Sequence, residues 1–352
     1  MIAPPRRAYL RRERRCLLAA RVRWGAKAPP MNVRAATAQD IAGIVDLHKA
    51  ANPYGDWYRD PFRRLGRVAY EDLTPLERFL HGGSWMDLSL CRRHVHEYQR
   101  RGFPLLIAED RGHVVGECEV WLDEEPEPFG RYAEAEMVES GLPPNADVER
   151  DLLTRAAERV RKMGYAHFDL SPMHSGGETV AKGLGFRKIW DTRTFSAVLK
   201  DVPRPETEFA TRYLGGEYGD LAGLLLLNHR EPARFRYEML TALWPAELMA
   251  GVNDAQRLIA MAVDTPDGRF AVFAVRRDWL DPTVAEVDVW IDSTAVKDTE
   301  RLQEAFSIAV EVARKLGTKS VTTYGPPSTA KVLRGLGFKG GDEPDLWLRQ
   351  TL

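Results

Sequence analysis

The sequence predicts an α/β fold with a mixed sheet, laid down twice in tandem. Arg161-Lys162-Met163-Gly164 matches Arg314-Lys315-Leu316-Gly317, and Gly183-Leu184-Gly185-Phe186 matches Gly335-Leu336-Gly337-Phe338. Upstream, Ala133-Glu134-Ala135-Glu136-Met137 matches Ala285-Glu286-Val287-Asp288-Val289, so three blocks keep one order at offsets of 152 to 153 residues. Around the blocks, the hydrophobic pattern alternates between strand and helix periods. Length agrees, since 352 residues correspond to two domains at roughly 100–200 residues each.

Each element follows from its pattern. Val33-Arg34-Ala35 reads as a strand, and Asp40 opens a helix with Ile41, Ile44, Val45 and His48 on one face. Leu105 to Ala108, the turn Asp110-Arg111-Gly112, and Val114 to Leu122 read as a β-hairpin. Ile259 to Val263, the turn Pro266-Asp267-Gly268, and Phe270 to Val275 form its second-half partner. The strands holding Glu134 and Glu286 alternate acidic and apolar side chains, which is period two. Amphipathic helices follow, one through Leu152, Leu153, Ala156, Val160 and Met163, the other through Leu302, Ala305, Phe306, Ala309, Val310 and Ala313. Gly164 and Gly317 stop them. Strands at Ala166 to Leu170 and Lys319 to Thr323 come next, and then a short helix ending in Gly-Leu-Gly-Phe.

Residues 1–30 stand apart, with nine basic residues against Glu13 alone, a net +8. With Pro29-Pro30 closing it, this segment is expected to be a disordered basic leader or an overextended start rather than a functional arm. Asp201-Val202-Pro203-Arg204-Pro205-Glu206 reads as a linker. The expected domains are therefore 31–201 and 202–352.

Composition excludes several classes. Fifty basic residues balance 51 acidic ones, which removes a bulk electrostatic case for nucleic acid or an anionic membrane as partner. No apolar run approaches the ~20 residues of a membrane span. Cys16, Cys91 and Cys118 make neither a CxxC nor an even framework, so a reducing, cytoplasmic setting is expected. His94 and His96 are two apart in a helical segment and read as solvated, and no metal site is expected from the histidines.

The order of elements resembles the GCN5-related N-acetyltransferase (GNAT) family. Met31-Asn32-Val33-Arg34-Ala35-Ala36-Thr37-Ala38-Gln39-Asp40-Ile41 looks like its opening strand and helix, and Leu184-Gly185-Phe186 and Leu336-Gly337-Phe338 look like its closing turn. The resemblance covers nearly all of 31–352 as two copies, the second degenerate. It implies transfer of an acyl group from acetyl-CoA or another acyl-CoA to a small-molecule or peptide amine.

Two features depart from the family pattern. A Gly-x-Gly turn at the start of the long helix usually cradles the CoA diphosphate, because glycine lets backbone N–H groups approach closely. Here those positions hold Asp147 and Glu149, and about Glu300 and Leu302 in the second half. Acids there repel phosphate but suit helix caps. A tyrosine that often protonates the leaving thiolate is replaced by Ala181 and Leu333.

Carboxylates remain the candidate chemistry. Glu134 and Glu136 share one strand face, as do Glu117 and Glu119 on the preceding strand. If the strands are neighbours, four carboxylates crowd together, raising some pKa values, and one could take a proton from an ammonium substrate. The family's general base is often a Glu on the strand of Glu136. A solvated sheet face or an oxygen-ligated metal are the competing readings. His167, Asp169 and His174 either extend the patch or are ordinary surface groups. Tyr54, Trp57, Tyr58 and Phe62 fall where the family shapes its acceptor pocket, to cage a cation or simply to pack. A non-catalytic ligand-binding or scaffold protein made of two degenerate copies is the alternative function.

Overall fold

The computed structural model describes residues 31–61, 63–172, 175–204, 211–214, 221, 223–228, 231–233, 259–265, 268–278 and 281–352. The basic leader, Phe62, His174, Pro205-Glu206 and Pro266-Asp267 lie outside the described residues. The chain forms two compact units. Unit 1 holds the chain up to Leu122, Ala133–Arg187 and Arg349–Leu352, and unit 2 holds Asp123–Tyr132 and Lys188–Leu348. The expected joint at Asp201 and Val202 thus falls inside unit 2, and the units interleave along the chain.

Unit 1 runs β1 (Asn32–Ala35), α1 (Ile41–Ala50), a ribbon of β2 (Tyr58–Asp60) and β3 (Leu65–Arg67), α2 (Pro75–Gly82) and α3 (Leu88–Arg101). It continues with β4 (Leu105–Asp110), β5 (His113–Glu125), β6 (Gly130–Glu139), α4 (Ala146–Lys162), β7 (His167–Leu170) and α5 (Ser175–Gly183). Its strands lie in the order β1-β4-β5-β6-β7, antiparallel at β1–β4 and β4–β5 and parallel at β6–β7.

Unit 2 holds β8 (Arg187–Val198), β9 (Thr211–Tyr213), β10 (Leu224–Leu226), β11 (Ile259–Thr265), β12 (Gly268–Arg277) and β13 (Val284–Asp292). Then come α6 (Thr299–Lys315), β14 (Ser320–Gly325), α7 (Ala330–Gly335) and β15 (Lys339–Thr351). The order β8-β14-β13-β12-β11-β9 again places one parallel pair, β13–β14, among antiparallel neighbours.

The closing strands explain the interleaving. β8 pairs antiparallel with β14, from Val198 opposite Ser320 to Arg193 opposite Gly325. The tail of β15 closes unit 1, where Leu352 N donates to Ala166 O at 2.9 Å. Arg349 donates from Nε and Nη2 to the two carboxylate oxygens of Asp169, both at 2.7 Å. Asp169 is fully buried, so it is not a surface group; an ion pair formed across 180 residues holds it inside.

Side-chain alternation on β5 sets up the site. A Cβ at Gly116 would collide with Val148 and Leu152 of α4, so the face of Gly116, Cys118 and Val120 packs against that helix. Glu117, Glu119 and Trp121 point the other way, toward α1 and α3. The opening motif is tied locally: Arg34 donates two hydrogen bonds to Asp40, at 2.7 and 2.8 Å, and Asp40 accepts from Thr37 N at 2.7 Å. The Arg34 guanidinium accordingly holds the Asp40 carboxyl at about 2.

Candidate functional site

The carboxylates of β5 meet two histidines from the helices. His48 Nε2 lies 2.6 Å from Glu117 Oε2, and His94 Nε2 lies 3.6 Å from Glu119 Oε2. Tyr98 Oη donates to Glu119 Oε2 at 3.1 Å. All five side chains are buried. The expectation that His94 is solvated is overturned: it lies on the same helix face as Leu90, Cys91, Val95 and Tyr98, while His96 faces out. That face was legible as i, i+4 spacing, which carries His94 inward with its apolar neighbours. Trp85 packs over both histidines, with ring centroids 4.0 Å from His94 and 5.7 Å from His48.

A solvated sheet face is likewise overturned. Glu117 and Glu119 are wholly buried, and Glu117 Oε1 and Glu119 Oε1 have no hydrogen-bond partner among the described residues. Burial pushes the Glu119 carboxyl well above its usual range, and the charges of Glu117 and Glu136 push it further. Tyr98 is raised by the same burial and by Glu119 and Glu136. His94 is held well below its usual value by burial and by His48. Glu136 thus lies close enough to Glu119 and Tyr98 for its charge to act on both. Among the described residues no group of three His, Cys, Asp or Glu side chains is arranged to hold a metal.

The two central-strand carboxylates differ. Glu134 is buried, opposite Asp169 in the parallel register, whereas Glu136 is half-buried and lines a narrow cleft. The cleft opens because pairing of β6 with β7 stops at Ala135 opposite Leu170 while β6 runs on to Glu139. Its free space is about 20 Å³, room for about one water, between Val138, Leu153, Leu170 and Pro172, with Glu136 and Glu149 as its charged lining.

Asp147 and Glu149 do not cap α4. Asn145 does, accepting from Asp147 N at 3.1 Å and Val148 N at 3.4 Å. Asp147 is exposed and pairs with Arg150; Glu149 is buried and accepts from Ser140 Oγ at 2.9 Å. In unit 2, Asp298 caps α6 by accepting from Glu300 N and Arg301 N at 3.0 and 3.2 Å, and Leu302 is a core residue. Neither helix start fits the diphosphate of CoA: the amides are engaged and acids stand beside them.

Unit 2 treats its matching acids differently. Arg276 donates to Asp288 Oδ2 at 2.6 Å and lies 2.9 Å from Glu286 Oε1, and Asn228 Nδ2 donates to Asp288 Oδ1. The space beyond the parallel pairing is also filled. β12 occupies one edge of β13, so β10, paired from Leu226 opposite Trp290 to Leu224 opposite Asp292, takes the edge that β14 leaves.

Tyr54 and Trp57 are brought to His81 rather than to a cage. Ring centroids lie 5.4 Å and 4.7 Å from that histidine, and Trp57 also meets Tyr70 at 5.0 Å. Burial raises the Tyr54 phenol to about 12. The cations over Tyr70 are the protein's own, Lys49 Nζ at 3.9 Å and Arg78 Cζ at 4.5 Å from the ring centre.

The chain matches no family model, and no curated protein matches it. Solved structures do. A GCN5-related N-acetyltransferase from Kribbella flavida aligns at TM-score 0.52 with 16% identity, over 93% of this chain and 73% of that one. One from Anabaena variabilis aligns at TM-score 0.55 with 9% identity, over 91% and 72%. A protein from Enterococcus faecalis described as a probable N-acyltransferase aligns at 0.53 with 10% identity, over 91% and 72%. At these identities the likeness concerns architecture, and it spans both units: the chain has the fold of the GCN5-related N-acetyltransferases.

Proposed function

We propose that unit 1 transfers an acyl group from a thioester to an amine, with Glu136 as proton acceptor. The observation that carries this reading is the placement of Glu136. Of Glu117, Glu119, Glu134 and Glu136, it is the half-buried one and the one that lines the cleft. An amine arrives as an ammonium ion and must lose a proton before its nitrogen can attack. Glu136 is reachable to accept that proton. The freed nitrogen bonds to the thioester carbon, the C–S bond breaks, and the sulfur leaves with the bonding pair. The attacking nitrogen then holds one proton too many, and water relays it to the departing sulfur, because Ala181 has none to give.

Glu134 is buried opposite Asp169 and takes no part in the proton transfer. Glu117 and Glu119 hold His48, His94 and Tyr98 in place rather than touching substrate. Tyr54 and Trp57, packed on His81, shape the acceptor side only indirectly.

The test is thioester consumption against a panel of amines, with wild type, Glu134→Gln and Glu136→Gln side by side. Loss of rate confined to Glu136→Gln is expected, and equal rates in all three would remove this face from the mechanism. The engaged amides at both long helices favour a second reading, an amine-binding module without turnover. Amine binding with no thioester consumption would select it.

A further inference from the structure

The loop between β6 and α4 has few amides left to offer an anion. Ser140 N and Gly141 N donate to Glu139 Oε1, at 3.0 and 2.7 Å. Asn145 N donates to Ser140 Oγ at 2.9 Å, and Glu149 N to Asn145 O at 3.0 Å. Asp147 N and Val148 N are taken by the Asn145 side chain, and residues 143 and 144 are prolines, which have no N–H. Three carboxylates, Glu139, Asp147 and Glu149, surround these amides, and Arg150 is committed to Asp147. A polyanion placed here would find repulsion and few donors. The adjoining cleft sets two acids, Glu136 and Glu149, between apolar walls.

We infer that the β6–α4 loop discriminates against the diphosphate of CoA, so that the acyl donor of unit 1 is a thioester without a polyanion. This rests on the acyl-transfer reading. The full chain is titrated calorimetrically with S-acetylpantetheine and with acetyl-CoA, from about 50 to about 500 mM salt. S-acetylpantetheine should bind about tenfold tighter or better at low salt, and acetyl-CoA should gain on it as salt screens the repulsion. Replacing Asp147 by Asn, which removes a carboxylate outside the cleft and releases Arg150, should strengthen acetyl-CoA binding about fivefold and leave S-acetylpantetheine unchanged. If that variant does not fold, the wild-type salt series decides. Tighter binding of acetyl-CoA, or a preference that salt strengthens, would overturn the inference and leave acyl transfer standing. Binding of neither thioester would overturn both.

Discussion

At one position of the repeat, Asp288 of unit 2 lies against Arg276 and Asn228, while Glu136 of unit 1 lines a cleft beside Glu119. The neighbouring strands set the difference. Beside β13, β12 supplies a guanidinium and β10 fills the space beyond the parallel pair. Beside β6, β5 supplies more carboxylates, which turn to histidines on α1 and α3, and the matching space stays open. One architecture thus carries a charge-neutralised, filled centre and a charge-frustrated, open one. Only the second retains a reason to be polar beyond its own stability.

The largest expected effect breaks that comparison at its chemical end. Glu136→Gln should slow amine acylation by ~10²–10⁴-fold, the usual cost of a lost general base. Asp288→Asn should leave the rate unchanged. A rate loss in Asp288→Asn alone would move the active centre to unit 2.

Stability should show the reverse preference. Asp288→Ala takes a carboxylate from the buried Arg276, and breaking a buried pair costs up to about 3–5 kcal/mol. Glu136→Gln, half-buried, should change stability by less than about 0.5 kcal/mol. Urea unfolding of both variants measures this, and equal losses would contradict the assignment of Glu136 to function.

Titration separates the two centres next. Glu119 has its folded-state pKa raised, so the folded chain keeps a proton that the unfolded chain releases above about pH 4.3. Its contribution is present below that pH and is lost as pH rises toward the folded value, by up to about 1.4 kcal/mol per unit. Glu119→Gln imitates the protonated form, so the variant should be nearly silent at pH 4 and more stable than wild type at pH 8. Melting curves across that range check it; a parallel displacement of the whole profile would show that Glu119 is ionised inside the fold.

How much of this was legible follows from range. Arg34 with Asp40, the hairpins and the long helices depend on neighbours in sequence, and their periods showed them directly. The shared face of Glu117 and Glu119 was readable from alternation, and β5 and β6 are neighbours as expected. His48 and His94 gave a signal in their helix faces, but their destination depended on which strand lay beneath. Asp169 with Arg349, and β10 against β13, join residues 180 and more than 60 apart, with no local trace. The cap at Asn145 was hidden more simply: the acids beside it are equally good caps, and only geometry selects among them.

The smallest effect tests whether the two copies share their local physics. Gly185 and Gly337 close the short helices with φ of +92° and +90°, a region that costs a side chain about 1–3 kcal/mol. An added Cβ at Gly185 meets nothing within 4 Å, and at Gly337 it meets Asp201 O at 3.5 Å, an ordinary contact. Backbone strain alone should therefore set both costs, and Gly185→Val and Gly337→Val should destabilise by similar amounts. The location of the loss should differ. Gly185 lies in unit 1 and Gly337 in unit 2, so hydrogen exchange should speed up around α5 in the first variant and around α7 in the second. Identical exchange patterns from both would mean that the closing strands bind the halves into one cooperative unit, and the comparison would then hold for chemistry but not for folding.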